Sequence, residues 1–309
     1  MDNKITKQRF SAFMHYEWIK IVALIVCVCL SLRLLFIQLG TKERLLTNGQ
    51  QFYFYYSAEI ITDCPTNMNN LINDKKVLSY DVQYSSVYQF DATYGAEQLE
   101  GWLVIGDGDM IITSDVPDEP NGDVYTRSNF RSLVDRYNVY DLDELMADAK
   151  EYASQFKINN ADGFVMSNIN YDVVKTKFLE RAKKDKRFKT NKQKEEGVKL
   201  ENQRIERLFL EITDFEKLLA MDIFVNYQSE EKGDETAKKY GIDLSKLTGA
   251  TGKTDITTYA SLYTGKDSAP TARHTVLAVF DFLHDQPELQ FETISVINAL
   301  VRTTTAFLD

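Results

Sequence analysis

The strongest hydrophobic pattern in the chain is a long apolar stretch near the N-terminus. Residues 18–39 read WIKIVALIVCVCLSLRLLFIQL, and the run from Ile21 to Leu32 carries no charged side chain. About 20 apolar residues in a helix are enough to cross the hydrocarbon core of a bilayer. Arg33 lies toward the far end, where its long side chain can reach the headgroups. The pattern therefore predicts a transmembrane anchor at residues 18–39 after a tail at 1–17.

The flanks of this stretch predict that the anchor is uncleaved and set its orientation. The polar region before it is long and no A-x-A cleavage site follows it, although a cleaved signal peptide and a buried core helix are the alternatives. Lys4, Lys7, Arg9 and Lys20 precede the apolar run. Positive residues favour the cytoplasmic side, so we expect residues 40–309 to form an extracytoplasmic domain.

Beyond the anchor, the alternation of apolar and polar positions predicts strands separated by helices. The strand candidates are residues 51–62, 77–90, 109–113, 161–167, 221–227 and 257–263. The helix candidates are residues 68–72, 99–105, 141–156, 172–219, 271–284 and 288–307. Asp141 and Glu144 form a D-x-x-E pattern that is typical of a helix start.

The segment YGAEQLEGWLVIGDGDMIIT, residues 94–113, is the most informative part of the body. Four apolar positions fall on one helical stripe: Leu99, Trp102, Leu103 and Ile105. Gly106 is placed to end the helix, and Asp109–Thr113 reads as a buried strand, against which Leu99, Trp102 and Leu103 should pack. A strand, a helix and a second strand indicate a βαβ unit with parallel strands. We therefore predict an α/β body with a mixed sheet, helices on both faces and two lobes.

Composition and charge narrow the function classes. The formal net charge of −10 would repel a phosphate backbone, which argues against a nucleic-acid partner. Of the three cysteines, Cys27 and Cys29 lie inside the apolar stretch and only Cys64 lies in the body, so no disulfide framework is available. A body of this size with so few cysteines is typical of a bacterial cell surface.

The sequence offers no recognisable catalytic or metal-binding motif. The acidic GDGD at residues 106–109 is followed by Met110, Ile111 and Ile112, which belong in a core, so we interpret it as a turn and not as a calcium loop. The chain has no HExxH, CxxC or G-x-S-x-G pattern and no P-loop. We expect no metal, no cofactor and no catalytic residue, although an enzyme built from unpatterned carboxylates is an alternative.

Aromatic residues are concentrated in the first part of the body. The run Phe52–Tyr56 lies on a predicted strand, so its side chains alternate between the two faces of the sheet. One face belongs to the core, and the other either packs across strands or lines a cleft for a sugar or a peptide. We name Tyr84, Tyr88 and Tyr125 as candidate ligand-binding residues. The basic run at residues 175–199 is interpreted as a solvated helix face, with contact to anionic lipid headgroups as the alternative.

Three segments together resemble extracellular solute-binding proteins of ABC importers: GDGDMIIT, YNVYDLDELMADAKEYA and AVFDFLHDQPELQFETI. The similarity covers residues 94–153 and 257–293. It implies two lobes that close on a ligand, and a late helix packed against them. Such receptors are usually longer and are lipoproteins or free proteins, whereas this chain has a predicted helical anchor. No ligand motif of the family is matched, so no ligand residue is transferred.

The sequence as a whole predicts a single-pass membrane protein with a cytoplasmic N-terminus. We expect a non-catalytic ligand-binding or transporter-accessory protein whose partners are the bilayer, a small sugar or peptide, and a membrane transporter, but no nucleic acid. The first alternative is a structural or assembly protein of the cell envelope. The second is a membrane-anchored hydrolase.

Overall fold

The computed structural model describes residues 51–74, 76–116, 129–247, 249–262, 269–282 and 291–308, together with Val22, Val26 and Val28. The chain divides into two compact units, Met1–Gly49 and Gln50–Asp309. In the first unit, the three described valines are helical and about half exposed. The predicted anchor otherwise lies outside the described residues, within which no helix is long and apolar enough to cross a membrane.

The second unit contains six strands and seven helices within its described ranges. The strands are β1 (Gln51–Tyr56), β2 (Tyr84–Gln89), β3 (Met110–Ser114), β4 (Phe224–Tyr227), β5 (Lys238–Asp243) and β6 (Thr275–Val279). The helices are α1 (Asp63–Asp74), α2 (Gly95–Val104), α3 (Phe130–Arg136), α4 (Leu142–Ser154), α5 (Tyr171–Ala182), α6 (Asn191–Leu219) and α7 (Glu292–Thr304). Short 3-10 turns cover Met166–Asn168, Lys186–Phe188, Leu244–Lys246 and Ile256–Thr258.

All six strands belong to one mixed sheet with the order β2-β1-β3-β6-β5-β4. Strand β1 is parallel to both β2 and β3. Strand β6 is antiparallel to β3 and β5, and β4 is antiparallel to β5. The predicted α/β class with a mixed sheet is therefore confirmed. The expected βαβ unit is present as β2-α2-β3, but β1 lies between its two strands, so they do not pair directly.

Helices cover both faces of the sheet, as predicted. On one face, Phe52, Phe54 and Tyr56 pack with apolar residues from α1, α4, α6 and α7. On the other face, Tyr55 and Ile111 pack with residues from α2 and α3. The alternation of side chains along β1 sends the members of one aromatic run into two different cores.

Most of the packing predicted for α2 is confirmed. Leu99 and Leu103 are buried in the second core, while Trp102 packs against that core and is only partly buried. Ile105 was predicted on the same stripe, but it is exposed because the helix ends at Val104. Gly106 has a φ of 72° and its amide bonds the carbonyl of Leu103, which fits the predicted helix end.

One predicted helix is wrong in a way that changes the topology. Residues 271–284 were expected to be helical, but Thr275–Val279 form β6, a fully buried strand between β3 and β5. A short apolar run is compatible with either structure, and the neighbouring strands decide between them. The late helix implied by the resemblance is therefore confined, within the described residues, to α7.

Two predicted strands are also wrong. Residues 161–167 form turns leading into Met166–Asn168, and Gly163 has a φ of 72° that no strand accommodates. The other strand was predicted at residues 257–263, where the described residues form the turn Ile256–Thr258 and a single bridge at Leu262. Both runs are short, and short apolar runs carry little information about which secondary structure will form.

The long helical region is confirmed, with an interruption. Helices α5 and α6 are separated by the turn Lys186–Phe188, and α6 begins with a capping box formed by Thr190 and Gln193. Although α6 is charged on most faces, it buries an apolar stripe that includes Ile205, Phe209 and Ile212. Residues Gln50–Asp309 form one compact unit around one sheet, which gives no support to the expected division into two lobes.

Candidate functional site

Two of the three predicted tyrosines, Tyr84 and Tyr88, lie on the edge strand β2. Tyr125 lies outside the described residues. Tyr84 is 53% exposed and Tyr88 is 36% exposed. The ring of Tyr88 lies 5.1 Å from the rings of both Trp102 and Phe90. Tyr88 is therefore part of an aromatic cluster that covers the second core, whereas Tyr84 borders an open cavity.

This cavity, which we call the α1–α6 cavity, has a volume of about 580 Å³. It lies between the end of α1, the segment 76–85 and one side of α6. Its described lining residues are Ile72, Asn73, Lys76, Leu78, Ser79, Tyr80, Val82, Gln83, Tyr84, Ser85, Leu200, Gln203, Arg204 and Arg207. Most of them can form hydrogen bonds, and the volume is within the range of small-molecule sites.

The first cation at the cavity, Lys76, occupies an unusual backbone position. Its φ is 49°, in the left-handed region that favours glycine. The amide of Lys76 bonds the carbonyl of Asn73, and the amide of Val77 bonds the carbonyl of Ile72. This is the Schellman arrangement that ends many helices, with a lysine where glycine is usual. A side chain in this conformation costs roughly 1–2 kcal/mol relative to the right-handed one.

The second cation, Arg207, reaches the cavity from α6. Its Nη1 atom donates to the carbonyl of Val77 at 2.7 Å. Within the described part of the chain, the Arg207 guanidinium forms no other hydrogen bond and no ion pair. Lys76 and Arg207 also line a neighbouring cavity of about 380 Å³, beside α7. Lys76 and Arg207 therefore contribute to the lining of two neighbouring cavities.

The wall behind the cavity is a buried network of charges. Glu201 accepts from Arg204 at 2.7 Å and from Arg181 at 2.9 Å. Asp81, which is fully buried, pairs with Arg181 at 2.9 Å and with Arg187 at 3.1 Å. Burial alone would raise the pKa of Glu201, but the two guanidinium groups lower it to about 2. Because its carboxylates and guanidiniums pair with one another, the network fixes segment 76–85 against α5 and α6 and adds little net charge to the cavity.

Ser79 connects the cavity to a second buried acid. The amide of Ser79 donates to Oε2 of Glu292 at 3.0 Å, and both residues are buried. Burial raises the pKa of Glu292, whereas the hydrogen bonds from Ser79 and the charges of Arg204 and Arg207 oppose this shift. The side chain of Ser79 is therefore directed at the Glu292 carboxyl group behind the cavity wall.

The acidic turn of the GDGD sequence has a structural role. Asp109 is buried, and its Oδ2 accepts from the amide of Tyr53 at 2.7 Å. Gly108, with a φ of 119°, lies so close to Tyr55 that a Cβ would be 2.5 Å from that ring. Asp109 therefore joins β1 to the start of β3. Over the described ranges, no group of three or more His, Cys, Asp or Glu side chains is placed to hold a metal ion.

The sequence analysis named Tyr84, which lines this cavity, but it did not single out Lys76 or Arg207. Many helices end with a residue in the left-handed region, but no glycine marks that position after α1. No local signal pointed to Arg207, because its contact with Val77 joins residues 130 positions apart.

Comparison with models of protein families, with curated proteins and with solved structures finds no match.

Proposed function

We propose that this protein is a membrane-tethered, non-catalytic ligand-binding protein that acts outside the cytoplasm and binds a small solute in the α1–α6 cavity. The observation that carries the proposal is a cavity of about 580 Å³ with a mostly hydrogen-bonding lining and with Tyr84 on its border. A transporter in the same membrane would be the natural partner of such a protein. This role is that of a degenerate solute-binding receptor, in line with the resemblance in the sequence.

The composition of the lining favours binding over hydrolysis. Among the described lining residues of the α1–α6 cavity there is no carboxylate, histidine or cysteine. These are the side chains that most often act as general base near neutral pH, and a serine in the lining needs such a base to become a nucleophile. The charged network behind the wall consists of groups that are already paired, which suits a rigid binding surface.

The ligand-binding part of the proposal is tested on the full chain in detergent solution. A thermal-shift screen against sugars, peptides and small anions should find one class that raises the melting temperature. Tyr84→Ala should reduce that shift, because the ring borders the cavity. The matched control is Tyr94→Ala, which removes an exposed tyrosine that does not line it. A screen without any stabilising ligand, or equal effects of the two variants, would count against the proposal.

The membrane part of the proposal is supported by the apolar stretch at 18–39 and by the exposed helical valines Val22, Val26 and Val28. Exposed apolar helix surface is what a lipid environment would cover. A reporter that is active only outside the cytoplasm, fused after Asp309, should be active in cells. Activity of a cytoplasmic reporter at the same position would show that the proposed orientation is wrong. Release of the fusion from membranes by a salt wash would show that the chain is not held by a transmembrane helix.

A structural or assembly role in the envelope is the second candidate, and one observation favours it. Val104 and Ile105, at the end of α2, are 74% and 64% exposed. Adjacent exposed apolar side chains are a feature of protein contact surfaces. The double variant Val104→Ser, Ile105→Ser should then abolish in-cell cross-links to envelope proteins, whereas Tyr84→Ala should leave them unchanged. The binding proposal expects the reverse pattern for ligand affinity.

A further inference from the structure

We infer that the α1–α6 cavity selects a small solute carrying an oxyanion, a carboxylate or a phosphate, and holds it between Lys76 and Arg207. This inference rests on the proposed binding function and names its ligand class. It goes beyond the sugar or peptide expected from the aromatic residues, because the polar atoms at this cavity are mainly those that recognise negative charge.

The charge at the cavity has one sign, although the protein is acidic overall. The described lining includes three cations, Lys76, Arg204 and Arg207, and no carboxylate, in a chain of net charge −10. The charge of Arg204 is matched by Glu201. The positive charge that remains belongs to Lys76 and Arg207. A local cationic opening on an acidic protein attracts anions and concentrates them at that place.

Arg207 is held in a suitable position but keeps most of its hydrogen-bonding capacity. One of its five N–H groups donates to the carbonyl of Val77, which fixes the guanidinium beside segment 76–85. The planar group that remains matches the two oxygens of a carboxylate or phosphate. The guanidinium groups of exposed arginines are usually hydrated and mobile. Arg207 is only partly exposed, and its hydrogen bond to Val77 restricts its guanidinium group.

Lys76 supplies the second charge from a backbone position that favours glycine. The left-handed conformation at the end of α1 is required by the turn, and no ion pair within the described residues accounts for a lysine there. Lysine at this position therefore adds backbone strain, and no contact of its side chain within the described residues offsets that strain. Residues in such conformations are enriched at functional sites, and here the side chain adjoins the cavity.

The test uses the full chain in detergent and isothermal titration with three probes: inorganic phosphate, succinate and glucose. At least one of the two anions should bind, more weakly at high salt, and glucose should not. Lys76→Gly removes the ammonium and also relieves the left-handed strain. Its melting temperature should therefore stay the same or rise, while anion affinity falls about tenfold or more. A loss of affinity in a variant that folds at least as well cannot be ascribed to unfolding.

Three further variants complete the design. Arg207→Gln should weaken anion binding, and Arg207→Lys, which keeps the charge but not the planar group, should restore only part of it. Lys199→Gln removes a charge from the same surface of α6 outside the cavity lining and should leave affinity unchanged.

The possible results separate this inference from the proposed function. Binding of an anion with equal affinity to the protein and to Lys76→Gly overturns the site. Binding of glucose that is sensitive to Tyr84→Ala but not to Lys76→Gly overturns the ligand class and leaves the binding function intact. Absence of binding by both anions at millimolar concentration overturns the inference, and a negative ligand screen would remove the binding function as well.

Discussion

Replacing Asp109 by asparagine should stabilise the protein at alkaline pH and have little effect in acid. Asp109 directly precedes β3 and is 4% exposed. Burial raises the pKa of Asp109 from 3.8 to about 7, the amide of Tyr53 opposes this shift, and the charge of Asp107 adds to it. In the unfolded chain the same group titrates near its ordinary value.

The size and the sign of the effect follow from these two pKa values. Between about pH 4 and pH 7 the folded protein holds a proton on Asp109 that the unfolded chain has released. The free energy of unfolding therefore falls as the pH rises through this window, and it levels off above about pH 7. A shift of about three units corresponds to a loss of up to about 4 kcal/mol. Asparagine has the same shape, keeps an oxygen for the amide of Tyr53 and does not titrate.

The measurement is urea unfolding of the wild-type chain and the Asp109→Asn variant at pH 4.5 and pH 8. We expect the variant to be more stable by about 2–4 kcal/mol at pH 8 and nearly equal at pH 4.5. Asp91→Asn is the control, because the exposed Asp91 carboxylate accepts from the amides of Thr93 and Tyr94, which lowers its pKa. Its pH dependence should be small and of opposite sign. Equal stability of wild type and Asp109→Asn at pH 8, or a difference that persists at pH 4.5, would refute the reasoning.

Four other substitutions test the packing and the charges. Gly197→Ala would place a Cβ 2.2 Å from the ring of Phe178, so it should lower the free energy of unfolding by about 1–3 kcal/mol. Gly101 has open space around it, so Gly101→Ala should raise the free energy of unfolding by about 0.5–1 kcal/mol. Changes of the same sign in the two variants would contradict this packing. Glu201→Gln should cost about 3–5 kcal/mol near neutral pH, because it leaves buried guanidinium groups unpaired. The stability that Glu201 contributes should be lost as the pH falls from about 4.5 to about 2. If Glu201→Gln were as stable as wild type at pH 7, the ion pairs of Glu201 with the guanidinium groups would not be formed. Trp102→Ala should cost about 2 kcal/mol, less than full core burial would imply, since this ring is partly exposed; a near-zero change in urea unfolding would place the ring outside the core.

The parts of the fold that the sequence predicted well depend on local interactions. The aromatic run of β1, the start of α4 at Asp141 and the turn at Gly106 were all found at or near their predicted positions. A side-chain cap, a positive φ and an alternation of side chains each involve residues close together in the chain. For the same reason the α/β class and the helices on both faces were predicted, since they follow from the order of the elements.

What only the tertiary structure decided depends on residues distant in the chain. The run Thr275–Val279 is a strand because β3 and β5 lie on either side of it, and its own apolar side chains suit a buried helix equally well. Similarly, only the tertiary structure shows that Tyr84 lines a cavity together with Lys76 and Arg207, while Tyr88 packs against Trp102. Folding brings α6 against the end of α1, so the contact of Arg207 with Val77 carries no signature in either segment. Local chemistry determined the elements, and long-range packing determined which side chains meet in the cavity.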